Sequence, residues 1–179
     1  PVVLLWTLIY AVDFSVQPMV LQDNTFFAKD FFHATEPQLG ILTMLGGAGI
    51  VFGALVVGFV VRRLGELWTF ILACFIYGGS LVLMAVARHF WFECAWVFFN
   101  GLGSAFKEPC IISVVSTLLP EKRMGTVLGM LLGLKGLGFV VGCLCGSILY
   151  ARGVYWHFIV GGGVQVPFLL VAFLLAVFR

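Results

Sequence analysis

Four ionisable residues lie deep inside long apolar runs of this sequence: Asp13, Lys107, Glu108 and Lys135. A carboxylate in such a place takes up and releases a proton. A lysine there holds an anion, and an opposite pair neutralises itself. Each charge at the centre of a bilayer costs at least ~2.5–3.5 kcal/mol on insertion scales, and an intramembrane ionisable group is a functional candidate by default. Two acids and two bases sum to zero, so a second reading stays open: buried ion pairs that only fix helix packing.

The four residues sit on polar stripes. Trp6, Tyr10, Asp13 and Gln17 share one helical face by three-four spacing, and Asn100, Ser104 and Glu108 share another. Tyr10, Gln17, Asn100 and Ser104 supply hydrogen bonds along these stripes. Lys107 and Glu108 are adjacent, about 100° apart around a helix, so the two cannot point squarely into one cavity. Pro18 and Pro109 fall close to the charges and are expected to kink or loosen the helices that carry them.

These residues must be positioned by membrane helices. Hydrophobic residues make up 62% of the 179 and charged residues 10%, with mean hydropathy +1.14. A soluble domain is closer to a quarter charged. Six runs are long enough to cross hydrocarbon: about 2–21, 39–61, 68–87, 90–119, 124–150 and 155–178. Strand alternation is absent, which argues against a barrel. The expected fold class is all-α: one polytopic domain of six transmembrane helices over residues 1–179, with short connections and antiparallel neighbours. The longest loop is placed between the first two helices, where Asp23, Lys29, Asp30, His33 and Glu36 cluster. The third and sixth helices lack a central charge, and Gln165 is the one strongly polar residue deep in the sixth. Helices one, four and five are therefore expected to line a polar interior, with three and six facing lipid or acting as supports.

Basic residues set the expected orientation. Arg62, Arg63, Lys122, Arg123 and Arg179 fall on one side, and Lys29, Arg88 and Arg152 on the other. The bias places both termini on the cytoplasmic side or its organellar equivalent. The first apolar run has no basic flank of the signal-peptide kind. Glycines recur four apart, at Gly49 and Gly53 and again at Gly138, Gly142 and Gly146, with Gly125, Gly129 and Gly133 before them. Small residues at that spacing let helices approach closely in lipid. The cysteines Cys74, Cys94, Cys110, Cys143 and Cys145 all sit in apolar runs and are read as packing residues. No zinc pattern, phosphate loop or nucleophile–base pair stands out, so neither metal, cofactor nor catalysis is expected. The net charge of +2 decides little, and with no basic run of the nucleic-acid-binding kind no nucleic-acid partner is expected.

With these residues in place, the chain resembles the N-terminal six-helix half of a major facilitator superfamily transporter over essentially its whole length. The family's loop signature G-x-L-a-D-r-x-G-r-k is similar to the run from Gly58 to Leu67. Gly58, Arg63 and Gly65 match, while Arg62 replaces the aspartate and Glu66 replaces a base. The resemblance implies a gating latch here with altered charges. The fifth helix is similar to the antiporter signature g-x8-G-x3-G-P-x2-G-G through Gly129, Gly138, Gly142 and Gly146, with Cys143 at the proline and Ser147 at the last glycine. The family's helix-four arginine falls on Val97. Within the superfamily, Tyr10-Ala-Val-Asp13, Asn100-Gly101-Leu-Gly103 and Trp156-His157 resemble Spinster-type lipid transporters, with Phe14 and Ser104 departing from that pattern.

The resemblance implies helices one, two, four and five around a central cavity, with three and six outside. It implies Asp13 as a proton-coupling carboxylate, with Lys107 and Lys135 neutralising an anionic head group and Glu108 paired to one of them. A secondary transporter moving a small, anionic or lipid-like solute is the first expectation. Such transporters rock two repeats around one site, so a second six-helix half, a second copy or another membrane subunit is the expected partner, besides the lipid bilayer. The altered Arg62 and Glu66 support an alternative, a transport-inactive, transporter-derived accessory subunit of a larger membrane complex.

Overall fold

The structure is a computed structural model that describes residues 2–117, 121–153 and 155–177. Six helices follow one another: α1 (Val2–Phe32), α2 (Glu36–Leu64), α3 (Glu66–Val86), α4 (Phe90–Thr117), α5 (Glu121–Arg152) and α6 (Trp156–Val177). No strand occurs among the described residues. The expected helix ends at 119 and 178, Pro120 and the base Arg179 lie outside the described residues.

The first helix differs from expectation. α1 runs through the supposed loop to Phe32, and only residues 33–35 separate it from α2. At 1.5 Å per residue it is ~46 Å long, well beyond the ~30 Å hydrocarbon layer. Asp23, Lys29 and Asp30 therefore ride on helical turns. The turn that follows is built locally. His33 takes a positive φ of 51°, and the Gln38 side chain accepts from the Thr35 N–H at 2.8 Å, closing the N-terminus of α2. Arg62 and Arg63 occupy the last turn of α2, where cations suit the helix dipole. Pro18 and Pro109 both lie inside uninterrupted helices.

The helices pack as pairs. α2 lies along α4 and α1 along α5, while α3 is wedged between α4 and α6. Glycine sets the closeness of the first two seams. A Cβ on Gly49 would run into the Phe98 carbonyl, and one on Gly101 into the Gly46 carbonyl. On the other side, a Cβ on Gly142 would meet the Ser15 carbonyl, one on Gly138 the Ala11 carbonyl at 2.9 Å, and one on Gly146 the Asp23 carboxylate at 2.6 Å. Gly125, Gly129 and Gly133 are different. Nothing lies within 4 Å of a Cβ there, so this upper part of the glycine run packs no helix.

α2, α3, α5 and α6 are long and apolar enough by composition alone to cross a membrane. The other two, α1 and α4, carry Asp13, Lys107 and Glu108. α3 packs inside the six-helix unit, whereas α2 and α5 leave most of their surface uncovered. Half of its apolar window is buried inside the bundle, against 11% for α2 and 17% for α5. α2 and α5 are the exposed flanks.

Candidate functional site

The four interior charges resolve into two pairs of different character. Lys107 Nζ donates to Asp13 Oδ1 at 2.5 Å, and the two side chains are only 3% and 7% exposed. Lys135 Nζ donates to Glu108 Oε1 at 2.8 Å, with side chains 38% and 34% exposed. The helical phase explains the split: adjacent residues on α4 diverge by about 100°, so Lys107 turns inward to α1 and Glu108 turns toward α5.

The inner pair is enclosed on four sides. Gln165 on α6 donates from Nε2 to Asp13 Oδ1 at 3.1 Å and accepts from Lys107 Nζ at 3.5 Å. The ammonium also stands 3.4 Å from the ring centroid of Tyr77 on α3. A cation over an aromatic face is stabilised by about 2 kcal/mol or more when water is excluded. α3 and α6 thus reach the charge cluster directly, contrary to the expectation of plain apolar supports. Gln165 carried a signal in the sequence, as the lone polar residue deep in its helix. Tyr77 carried none, since nothing in its spacing separates it from the core residues Ala73, Cys74 and Leu81 that are buried around it.

The outer pair faces space. Tyr10 donates its hydroxyl to Glu108 Oε1 at 3.1 Å, and Lys135 Nζ lies 4.3 Å from the Phe14 ring centroid. A cavity of about 120 Å³ is lined by Asp13, Gln17, Ser104, Lys107, Glu108 and Lys135 among others. Gln17 donates to Ser104 Oγ at 3.3 Å on its edge. Asn100 donates to Ser80 Oγ on α3 at 3.2 Å and borders an adjoining cavity of about 220 Å³. Of the eight residues marked on the stripes, Asp13, Gln17, Ser104, Lys107, Glu108 and Lys135 line the first cavity and Asn100 the adjoining one, while Tyr10 is buried and reaches the first through its hydrogen bond to Glu108.

The loop between α2 and α3 is built around Gly65, whose φ of 84° is a conformation other residues rarely adopt. Its carbonyl accepts from the Thr69 hydroxyl at 2.7 Å. Glu66, at the position of a usual base, accepts from the Ser113 hydroxyl on α4. Arg62 and Arg63 are exposed, with the Arg63 guanidinium 5.2 Å from the Phe59 ring. Gly58 faces open space. The loop thus ties α3 to α4 through a carboxylate and a hydroxyl.

Residues 3–179 match the family model of the Major Facilitator Superfamily. The chain belongs to that superfamily. It is an integral, multi-pass membrane protein of the transporter type. It is similar to the "Uncharacterized MFS-type transporter YcaD" of Escherichia coli O45:K1 (strain S88 / ExPEC) and of Escherichia coli O81 (strain ED1a), 28% identical to each over 120 residues. That alignment covers 67% of this chain and 30% of each relative, so the chain spans about 30% of the length of the curated relatives it matches. Their names state no substrate and give no sign of the Spinster type.

Three further buried polar residues escaped the sequence reading as site candidates. Asp23, Glu93 and His157 are each at most 3% exposed. Both carboxylate oxygens of Glu93 and both ring nitrogens of His157 lack a hydrogen-bond partner. Glu93 and His157 sit in first turns and Asp23 in a supposed loop, where a polar residue draws no notice.

Proposed function

We propose that this chain forms the substrate-lining half of a secondary transporter that moves a small, anionic or lipid-like organic solute in symport with a proton. One observation carries the reading: the Lys135–Glu108 pair stands about one-third exposed in a cavity, whereas the Asp13–Lys107 pair in the wall of the same cavity is only 3–7% exposed. A charge left open at the cost of its desolvation is the kind a solute can exchange with. An incoming anion takes Lys135 from Glu108, and Tyr10 keeps hold of the released carboxylate.

Asp13 is proposed as the proton-coupling carboxylate. Protonating it frees Lys107 and loosens the junction of α1 with α4 and α6. A second six-helix unit, from a longer chain, a second copy or another subunit, completes the cavity. The basic-residue bias orients the start of α1 and the ends of α2 and α4 toward the cytoplasmic side. The test is uptake of a panel of small organic anions into proteoliposomes under an imposed pH gradient. Asp13→Asn should abolish the gradient-driven component. Undiminished uptake would rule out that role.

The alternative, a transport-inactive accessory subunit, draws on a specific observation too. Each of the four interior charges has a partner within the chain, and the Arg62 and Glu66 loop departs from the latch signature. Stable co-migration with a large membrane complex in mild detergent, with no uptake by the purified chain, favours it.

A further inference from the structure

The charged cavity does not stand alone. Gln17, Ile50 and Ser104 line both it and the larger cavity of about 220 Å³ beyond. Among the described residues, none that lines the larger one is charged. Its wall is apolar at Val20, Leu42, Ile50, Met84 and Val97, and neutral polar at Asn24 and Asn100. Asn24 is 6% exposed, and its Oδ1 has no hydrogen-bond partner. A buried amide oxygen left unpaired is unfavourable unless something donates to it. Gln17, Val20 and Asn24 follow one face of α1, so the chamber continues axially for ~10 Å from Gln17. Gly47 lines it, and a Cβ on Gly47 would have nothing within 4 Å, so the wall is glycine-thin on the α2 side.

We infer that this chamber is a subsite for the uncharged part of the transported solute. The inference rests on the anion reading of Lys135. The solute is then an organic anion with a short apolar body, its charged group at Lys135 and a hydrogen-bond donor, such as a hydroxyl or amide N–H, at Asn24 Oδ1. At ~30 Å³ for a water-sized group, the chamber holds about seven of them. That suits a medium-length hydroxy acid or similar solute and leaves a long acyl chain projecting outside.

The experiment uses the full chain in nanodiscs with n-alkanoates from acetate to dodecanoate and their ω-hydroxy analogues. Apparent affinity is read from the shift in thermal unfolding against ligand concentration. Affinity should tighten by about fourfold per methylene that enters the chamber, level off once about seven carbon-sized groups fill it, and tighten again when a terminal hydroxyl reaches Asn24. Gly47→Leu puts a side chain into the chamber from a position whose Cβ meets nothing within 4 Å, and should flatten the length series while acetate still binds. Asn24→Leu should remove only the preference for the hydroxyl. A flat series in the unaltered chain, or a series that Gly47→Leu leaves unchanged, overturns the subsite. Lys135→Met tests the underlying reading separately: it should abolish acetate binding. If acetate binds Lys135→Met as well as the unaltered chain, the anion reading falls whatever the length series shows.

Discussion

Replacing Lys107 with methionine should damage the fold far more than replacing Lys135 with methionine. The two lysines have the same chemistry and each holds one carboxylate, so burial is the main difference. The Asp13–Lys107 side chains are 3–7% exposed. Lys107→Met leaves the Asp13 carboxylate with the Gln165 amide at 3.1 Å as its remaining donor. Removing one member of a buried pair costs about 3–5 kcal/mol. The Glu108–Lys135 side chains are 34–38% exposed, where screening reduces such a pair to about 1 kcal/mol or less. Tyr10 also stays on Glu108. The gap between the two single variants is therefore at least ~2 kcal/mol. A double-mutant cycle sharpens this, because Asp13→Asn with Lys107→Met removes both charges. That double variant should lie within about 1–2 kcal/mol of the parent, since neutral replacement of a buried pair is often tolerated. Unfolding in mixed detergent micelles, followed by tryptophan fluorescence, measures all of these. If Lys107→Met is no more damaging than Lys135→Met, or if the double variant loses the sum of its singles, the sealed-pair reasoning is wrong.

Glycine substitutions should separate by position in the same unfolding assay. Gly142→Leu drives a side chain into the Ser15 carbonyl and should lose about 1–3 kcal/mol, whereas Gly129→Ala fills open helix surface and should be neutral or gain up to about 1 kcal/mol from propensity. Tyr77→Phe keeps a ring beneath Lys107 and should be mild, while Tyr77→Leu removes the cation–π contact at 3.4 Å and should cost about 2 kcal/mol or more. Glu93→Leu removes two carboxylate oxygens that are buried without partners, and thermal midpoints should rise by the equivalent of about 1–3 kcal/mol.

The six helices were legible because each is a long apolar run, and the run length needed to cross hydrocarbon is a hard constraint. The end of α1 was not. Asp23, Lys29 and Asp30 look like loop composition, yet a helix that outruns the hydrocarbon keeps its backbone hydrogen bonds in water as well. The glycine spacing was read as close helix packing, but spacing gives only the phase of a helix. Which stretch of α5 has a neighbour depends on where α1 lies, and α1 reaches Gly138, Gly142 and Gly146 but not Gly129. The interior charges stood out as a set, since charge in an apolar run is expensive enough to be noticed. Their partners did not, because pairing depends on helix order in space.

The 100° between Lys107 and Glu108 is where these two kinds of information meet. Read along the sequence, it says only that the two side chains leave α4 in different directions, and both still reach the wall of one cavity. In the bundle, α4 lies between α2 and α3 and also touches α1, so one direction leads into the core and the other to the open side. Lys107 enters the core, where Asp13, Gln165 and Tyr77 close around it from three other helices. Glu108 stays at the rim, where it ties α4 to Lys135 on α5. A fully sealed set of four charges would have nothing to offer a solute, and a fully open set would leave α1 without its polar anchor to α4 and α6. Dividing the charges between core and rim lets the same short stretch of α4 brace the bundle and present an exchangeable ion pair, and a swap of order at positions 107 and 108 should destroy both arrangements at once.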